Sequence, residues 1–369
     1  MMLKLNDRDW KEFKFIEVFE IKKGFYNKKP NENANGTIPF IGATASNNGI
    51  TQWNDLKTIE GTSKTGDGKN EEINRKIFNG NSIVVTNNGS VGHAYYQPSK
   101  FTCSHDINPL YLLNKRLNPY IAKFLIVCIE KQGICFMYSR KWRPERMVSS
   151  TLLLPINKNG NPDYDFMEQF IKEREEEKRN EYIEYAKKKL SEIKQTIRET
   201  NGGGVANKKY LEFAINEIFE ECERGKRLIK NNHEEGNVPY VSSTSYNNGI
   251  ESFIGNEKDV RKFNNCLSLA NSGSVGSCFY EPFTFIASDH VTHLKNKKYN
   301  SYQYLFLATL LGRLKEKYNF NREISDKRIC REKVLLPIEK KSIDYDYMEN
   351  CIKNKLVNKY NEYINFSKR

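Results

Sequence analysis

Two kinds of hydrophobic spacing alternate along this chain, and each occurs twice. Short runs of β-branched and aromatic residues, such as Ser82 to Thr86, Ala94 to Tyr96 and Ser277 to Tyr280, are broken by Asn-Gly and Ser-Gly turns. That is the pattern of a small, twisted, loop-rich sheet. A helix follows: Asn118-Pro119 sets a capping residue before a proline at the first helical position, Tyr120 to Lys131 is apolar, and Gly133 is placed to end it. Its counterpart runs from about Ser301 to Lys317, and an extended Leu-Leu-Pro strand closes each globular region. The spacing then changes. From about Asp163 to Glu199 a long helix is expected, with an apolar first turn (Phe166, Met167, Phe170, Ile171), a wholly polar middle, and Ile183, Ala186, Leu190, Ile193 and Ile197 in the 3,4 spacing of a coiled-coil seam. Asn201 to Gly204 stops it. A second helix, from Asp344 to about Phe366, places Met348, Ile352, Leu356, Tyr360 and Tyr363 at helical spacing.

The alternation is an internal duplication. Ile38 to Ile50 (IPFIGATASNNGI) returns as Val238 to Ile250 (VPYVSSTSYNNGI) at an offset of 200, and Asn87 to Pro98 (NNGSVGHAYYQP) returns as Asn271 to Pro282 (NSGSVGSCFYEP) at 184. Leu152 to Ile156 matches Val334 to Ile338, and Asp163 to Glu168 matches Asp344 to Glu349, at 182 and 181. The fall of 16 places an extra loop in copy one, within Thr51 to Phe78. Four blocks in one order are a repeated architecture. A chain that alternates globule, helix, globule, helix can pair its helices antiparallel under a pseudo-twofold axis, and a first helix of about 37 residues is roughly 55 Å long.

Length and charge narrow the class. The 369 residues suit two or three domains, and 38% hydrophobic with 28% charged residues describes a globular protein. The net charge is +13, yet the long helix carries 11 acidic and 9 basic residues, so the positive charge lies on the globular copies. A polyanionic partner is the implication. The first residues lack the apolar core of a signal peptide and no segment is long enough to span a membrane, so no membrane partner is expected. The eight cysteines are scattered without a CxxC pair, which argues against zinc and for reduced thiols in the cytoplasm.

At these blocks, together with "RKW...RM....LLLP" and "NGNPDYDFME", the chain resembles the DNA-specificity (S) subunits of Type I and related bipartite restriction-modification systems. The resemblance spans nearly the whole chain. It implies an α+β fold of two pseudo-symmetric target-recognition domains, small twisted sheets with helices, joined by long antiparallel coiled-coil spacer helices. The expected division is 1–160 and 201–340 for the recognition domains, 161–200 and 341–369 for the spacers. The resemblance implies a noncatalytic DNA-reading subunit for a split, asymmetric site in double-stranded DNA. Its partners would be adenine methyltransferase (modification) subunits, often joined by a restriction/translocase subunit. No cofactor is expected in this chain; S-adenosylmethionine would sit on the partner methyltransferase. The family's docking role, carried onto the helix starts, falls on Phe166, Phe170, Met348 and Ile352. A stand-alone nuclease or methyltransferase and a duplicated RNA-binding or structural module are the alternatives.

Candidate DNA contacts follow from side-chain chemistry. The repeated turns offer Ser46, Asn47, Asn48, Ser245, Asn247 and Asn248, then Asn87, Asn88, Ser90, Asn271, Ser272 and Ser274. Asn can bond adenine bidentately and Ser can bond base or phosphate, although Asn-Gly is first of all a turn former. The copy-one loop adds Lys64, Thr65 and Lys69, suited to the DNA backbone; its TGDGK lacks the spacing of a nucleotide-binding loop. Arg140 and Arg146 align with Arg322 and Arg328, with Lys141, Arg143 and Lys327 adding charge, for phosphate or guanine contact or for helix-end capping. Asn161 to Tyr164 (NPDY) resembles an adenine-methyltransferase motif, but copy two reads SIDY and no strand-glycine-helix unit precedes it. No catalytic set and no metal ligands are expected; His290 and His293 in SDHVTH fit a strand end better than a ligand pair.

If the long helix is the spacer, seven residues inserted after Lys189 return the seam to register and add roughly 10 Å. The unread gap in the DNA site should lengthen by about three base pairs at ~3.4 Å each, both half-sites unchanged. Methylation mapping reads the outcome, and an unaltered gap rules the helix out as the ruler.

Overall fold

The computed structural model describes residues 2–33, 35–66, 70–136, 140–197, 208–319 and 321–367. The Asn201 to Gly204 stop and the end expected at Glu199 lie outside them. The chain forms two compact units, Met1–Glu181 and Tyr182–Arg369, which divide within the long helix.

Unit one contains the first globular copy. β1 (Trp10–Lys14) pairs antiparallel with the Leu-Leu-Pro strand Thr151–Pro155. β2 (Phe19–Ile21) borders a four-stranded antiparallel sheet. The hairpin β3 (Ile38–Ile41) and β4 (Ile50–Asn54) takes β7 (Thr102–Cys103) as a parallel third strand. β5 (Ser82–Thr86), β6 (Ala94–Gln97) and β8 (Ile107–Leu112) complete the sheet in the order β2-β8-β5-β6, and β9 is Thr151–Pro155. β5 is central and buried at every position, which is why its apolar run is unbroken rather than alternating. α1 (Pro119–Gly133) covers the sheet with Ile121, Ala122, Phe124, Leu125 and Ile129. Asn118 caps it, its Oδ1 accepting from the Tyr120 and Ile121 amides at 3.0 Å.

Unit two repeats this plan element by element, apart from the copy-one insertion. β10 (Lys209–Ala214) takes the place of β1, and β11 (Glu221–Arg224) that of β2. β12 (Glu235–Val241) and β13 (Ile250–Ile254) form the hairpin; its register slips at Tyr240/Val241, as the first slips at Phe40/Ile41. β14 (Lys262–Phe263) adds an edge strand; β15 (Cys266–Ala270), β16 (Cys278–Glu281), β17 (Phe285–Ala287) and β18 (Val291–Lys295) follow, with sheet order β11-β18-β15-β16. β19 (Lys333–Glu339) pairs with β10, and β20 (Ser342–Ile343) extends the pair. The second covering helix, expected to reach Lys317, is α-helical over Ser301–Leu311 and tightens to a 3-10 turn over Gly312–Glu316. The glycine of the second repeat block lies against that turn. At φ +83, Gly276 sits so close to the Leu314–Lys315 backbone that a Cβ would lie 2.5 Å from the Lys315 nitrogen. Gly92, at φ +90, abuts Gly133 in the same way.

The long helices begin where the repeat predicts. In Tyr164–Thr196 the Phe166 amide donates to Asp163 Oδ1 at 3.0 Å, and in Tyr345–Phe366 the Tyr347 amide donates to Asp344 Oδ1 at 2.9 Å. The Asp-Tyr-Asp repeat is thus an N-cap used twice. The apolar first turns correct the sequence reading. Phe166 and Met348 are 2% and 0% exposed, Ile352 is 8% exposed, and Phe170 stacks edge-on to Phe124 at 5.9 Å. Phe166 and Met348 are thus core residues of their own globules, Phe170 packs partly against the first, and Ile352 is buried within unit two. Further along, Ala186 and Ile193 are the buried positions of the seam. Within unit two that stretch runs antiparallel to Tyr345–Phe366: Tyr182 meets Tyr363 at 4.5 Å, Tyr185 meets Tyr360 at 6.4 Å, and Lys353 Nζ donates to the Thr196 carbonyl at 3.0 Å. None of the described helices is long and apolar enough to cross a membrane.

The copy-one insertion is built rather than loose. Asp55 caps a helix over Leu56–Gly61, and a second short helix spans Ile73–Lys76. Lys76 is fully buried; its ammonium donates to the carbonyls of Ile59 at 3.2 Å and of Glu60 and Thr62 at 2.8 Å, and also to Asn70. Burial pulls its pKa below the usual lysine value. Tyr26 donates its hydroxyl to the Ile59 carbonyl at 3.1 Å. The carbonyls that end the first helix are thus held by one cation. Lys76→Met removes that donor and should cost roughly 1.5–3 kcal/mol. Hydrogen exchange should then rise across 56–66 while β12 to β18 keep their protection.

Candidate nucleic-acid interface

The turn after β5 is tied down by one buried amide. Asn87 is 5% exposed; its Nδ2 donates to the His105 carbonyl at 3.3 Å and to Asn108 Oδ1 at 2.8 Å, while its carbonyl accepts from the Trp142 amide at 3.1 Å. Three chain segments meet there. Trp142 is fully enclosed, stacked on Phe136 at 4.8 Å and donating Nε1 to Ser150 Oγ at 3.0 Å. Copy two repeats the joint: Asn271 is 2% exposed, accepts the Ile324 amide at 3.0 Å and bonds Thr292 Oγ1 at 3.0 Å. Asn87 and Asn271 therefore face inward and hold their loops.

This joint brings several predicted residues into one cleft of about 400 Å³, where Lys64, Asn88, Lys141 and Arg143 line the wall with Asn87. The cleft also takes Lys23, Asn27, His105 and Asp106, which sequence reasoning missed. Asn88 Nδ2 donates to Asp106 Oδ1 at 2.9 Å. Lys23 pairs with Glu145 at 2.9 Å, and that hydrogen bond holds the Glu145 carboxyl below the usual range. A second cleft of about 500 Å³ shares Lys23 and Lys64 and adds Lys22, Arg75, Asn74 and Tyr111. Six cations and several amides thus border two clefts with shared walls, the composition that suits a phosphate backbone. Lys69 lies outside the described residues. Thr65 is exposed at the rim of the insertion.

The Asn-Asn-Gly turns lie elsewhere on each copy, against β6 and β16. Asn47, Asn48, Asn247 and Asn248 all adopt the left-handed region, at φ 53, 52, 49 and 53. Asn47 donates to the Ile50 carbonyl at 2.8 Å and Asn48 to the Tyr96 carbonyl at 3.2 Å, so their amides are partly spent on the turn. Ser46 and Ser245 are exposed beside them. Ser90 and Ser274 are half-buried, Ser272 is 8% exposed, and the Ser274 amide donates to the Ser243 carbonyl at 3.0 Å.

The arginine pairs repeat as structural units. Arg140 lies over Phe136 and Arg322 over Tyr318, both at 5.3 Å, a cation on an aromatic face in each copy. Arg146 donates to the Lys141 carbonyl at 2.9 Å and Arg328 to the Glu323 carbonyl at 2.7 Å, each bracing the loop before its short helix. Lys327 is exposed on that helix. Here the copies diverge: Lys141 is matched by Glu323, Arg143 by Ser325 and Pro144 by Asp326. Arg224, the counterpart of Lys23, pairs with Asp326 and donates to the Ile324 carbonyl at 3.1 Å. The signal for Lys23 was present in the sequence. Glu20 to Gly24 (EIKKG) returns as Glu221 to Gly225 (ECERG) at an offset of 201, a fifth repeat block. Trp53 and Phe253, 42% and 59% exposed at matching positions, and Tyr246, 70% exposed, were also legible from that alignment.

A framework built twice, with the charge of its exposed loops changed between copies, is the architecture of a modular recognition protein. The chain belongs to the family described as the type I restriction modification DNA specificity domain, whose model matches residues 7–185 and again 207–365. The specificity subunit S.BcgI of a type II restriction enzyme from Heyndrickxia coagulans is 38% identical over 167 residues, 45% of this chain and 44% of that protein. The chain therefore matches less than half the length of that relative. A type I restriction-modification S subunit from M. genitalium aligns over 98% of this chain and 94% of its own, at 19% identity and a TM-score of 0.47. An HsdS subunit from Thermoanaerobacter tengcongensis aligns over 98% and 91%, at 12% identity and a TM-score of 0.32.

The joint and the cleft wall should separate in thermal melts. Asn87→Ala or Asn271→Ala leaves buried partners unpaired and should cost about 1–3 kcal/mol. Arg143→Ala, on the exposed wall, should stay within about 0.5 kcal/mol. Equal losses would show that the asparagines are not the joint.

Proposed function

We propose that this chain is the DNA-reading subunit of a restriction-modification complex, each copy reading one half of a split site in double-stranded DNA. The divergence of the cleft residues on a repeated framework carries the reading, because half-sites read by unlike walls are themselves unlike. In copy one Lys23, Lys64, Lys141 and Arg143 grip phosphates, and Asn88 offers an amide to the groove. In copy two the exposed turn with Ser245, Tyr246 and Asn248, together with Lys327, does the corresponding work. Arg140 and Arg322 lie ready on their aromatic platforms for phosphate or guanine. The chain contributes no chemistry of its own. Partner adenine methyltransferase subunits, carrying S-adenosylmethionine, modify the DNA, and a restriction subunit joins them in the cytoplasm.

Docking of those partners falls to the exposed faces of the two long helices, since Phe166 and Met348 are committed to the cores of their own globules. The Lys178–Glu181 and Lys187–Glu184 pairs on the first helix, at 2.7 and 2.8 Å, leave a solvated polar face for this contact.

Co-expression with its methyltransferase and mapping of methylated adenines should return a bipartite, asymmetric motif with an unread gap. A continuous palindrome overturns the proposal. In the assembled complex, Lys141→Ala and Arg143→Ala should weaken binding to all sequences alike, each flattening the slope of log K against log salt by about 0.9. Arg322→Ala should affect the second half-site alone: as a guanine contact it costs roughly 1–3 kcal/mol at one position, and as a phosphate contact it flattens the salt slope.

A further inference from the structure

In each copy the edge strand of the four-stranded sheet, on which the Asn-Asn-Gly turn packs, carries one enclosed polar side chain at the same register position. In copy one it is Gln97, 2% exposed, whose Nε2 donates to the Asn48 carbonyl at 3.0 Å. In copy two β15 and β16 repeat that register, Cys266 opposite Glu281 answering Ser82 opposite Gln97, and the residue is Glu281, 0% exposed. Glu281 Oε1 accepts from Ser268 Oγ at 2.8 Å. Its Oε2 is fully enclosed and has no hydrogen-bond partner. A carboxylate there would set lone pairs against the Asn248 carbonyl, the counterpart of the Asn48 carbonyl to which Gln97 offers an N–H. A neutral carboxyl has one O–H to donate and restores the bond.

We propose that Gln97 and Glu281 are the positioning residues of the two turns, and that Glu281 holds its turn by donating the proton of a neutral carboxyl to the Asn248 carbonyl. The consequence for binding rests on the reading that these turns meet DNA; the hold itself does not.

The surroundings favour the neutral form. Cys266 lies opposite Glu281 on the same face of the sheet, with His293 on β18 beyond Ser268. His293 is committed elsewhere: its Nδ1 lies 2.9 Å from the Glu223 carbonyl, and its Nε2 lies 3.5 Å from Glu221. Lys295 and Glu221 continue that face, paired across β18 and β11. Cys278 and Tyr280 project to the other side, where Tyr280 stacks on Tyr304 at 5.2 Å; on the turn, Asn247, Asn248 and Gly249 carry no titratable group and the capping Tyr246 is exposed to solvent. Among the described residues no cation forms an ion pair with Glu281. Burial therefore prevails over the Ser268 hydrogen bond and pushes its pKa up to about 7. A carboxyl raised in the held state gives its full stabilisation below the ordinary carboxylate range, and loses it as pH rises to about 7. Gln97 has no proton to lose, so copy one is indifferent to pH.

Amide exchange of the full chain between pH 5.5 and 8, corrected for base catalysis, tests the hold. The reporters are the Gly249 amide, bonded to the Tyr246 carbonyl at 2.8 Å, and the Gly49 amide, bonded to Ser46 at 3.0 Å. Gly249 protection should fall about tenfold or more across this range, one pKa unit between held and released turns being a factor of ten. Gly49 should stay level. Glu281→Gln should keep Gly249 at its low-pH protection throughout, and Gln97→Glu should transfer the dependence to Gly49. Level Gly249 protection in the natural chain overturns the proposal, as does a pH dependence that survives Glu281→Gln. Affinity for the second half-site, measured over the same pH range with the methyltransferase present, addresses the DNA reading separately. Falling protection with constant affinity leaves the positioning role in place and removes that turn from the DNA contacts.

Discussion

The organisation of each copy depends on one buried asparagine. Asn87 and Asn271 join the turn after the central strand to the loop that follows the covering helix, through the Trp142 and Ile324 amides. An amide suits this place because it carries donors and an acceptor without charge, so it can satisfy backbone groups in a dry site at no ionic cost. Once that joint is closed, the loop positions around it are free to change. Lys141 opposite Glu323 and Arg143 opposite Ser325 are changes of charge that the buried joint does not register.

The same division of labour sets the electrostatics. Buried ionisable groups serve the framework: Lys76 closes the copy-one insertion, and Glu281 is enclosed on the strand against which the copy-two turn packs. Exposed cations surround the clefts, where water and salt screen them and where their attraction for a polyanion varies with ionic strength. The insertion matters to this balance because it delivers Lys64 to both clefts from an anchored base. In copy two, Arg224 is consumed by Asp326, so the corresponding wall offers a different charge. Two readers of one ancestry thus present unlike surfaces.

The helices follow a related rule. Their first turns are apolar because they must adhere to a globule, and their seams are apolar because they must meet another helix, while the polar stretch between does neither. The N-terminal residues partly occupy that stretch: the Leu3 amide donates to Glu173 at 2.7 Å and Arg174 donates to the Leu3 carbonyl at 2.8 Å. A single continuous helix therefore carries three surfaces with three occupants.

Much of this was determined by the sequence alone. The duplication, the capping asparagine Asn118, the seam through Ala186 and Ile193, and the family itself follow from local chemistry and from order along the chain, because caps, turns and periodicity act over a few residues. What the tertiary structure decided is which side chains a distant segment covers. Phe166 and Met348 read as a docking face, since an apolar turn has the same spacing whether a partner or its own globule buries it. Asn87 read as a DNA contact, since a turn asparagine and a buried one look alike until His105, Asn108 and Trp142 close around it. Lys76 and Lys64 are both lysines of one insertion, yet one is enclosed by carbonyls and the other lines a cleft. Burial and long-range hydrogen bonding depend on residues tens of positions away, and nothing in the local pattern encodes them.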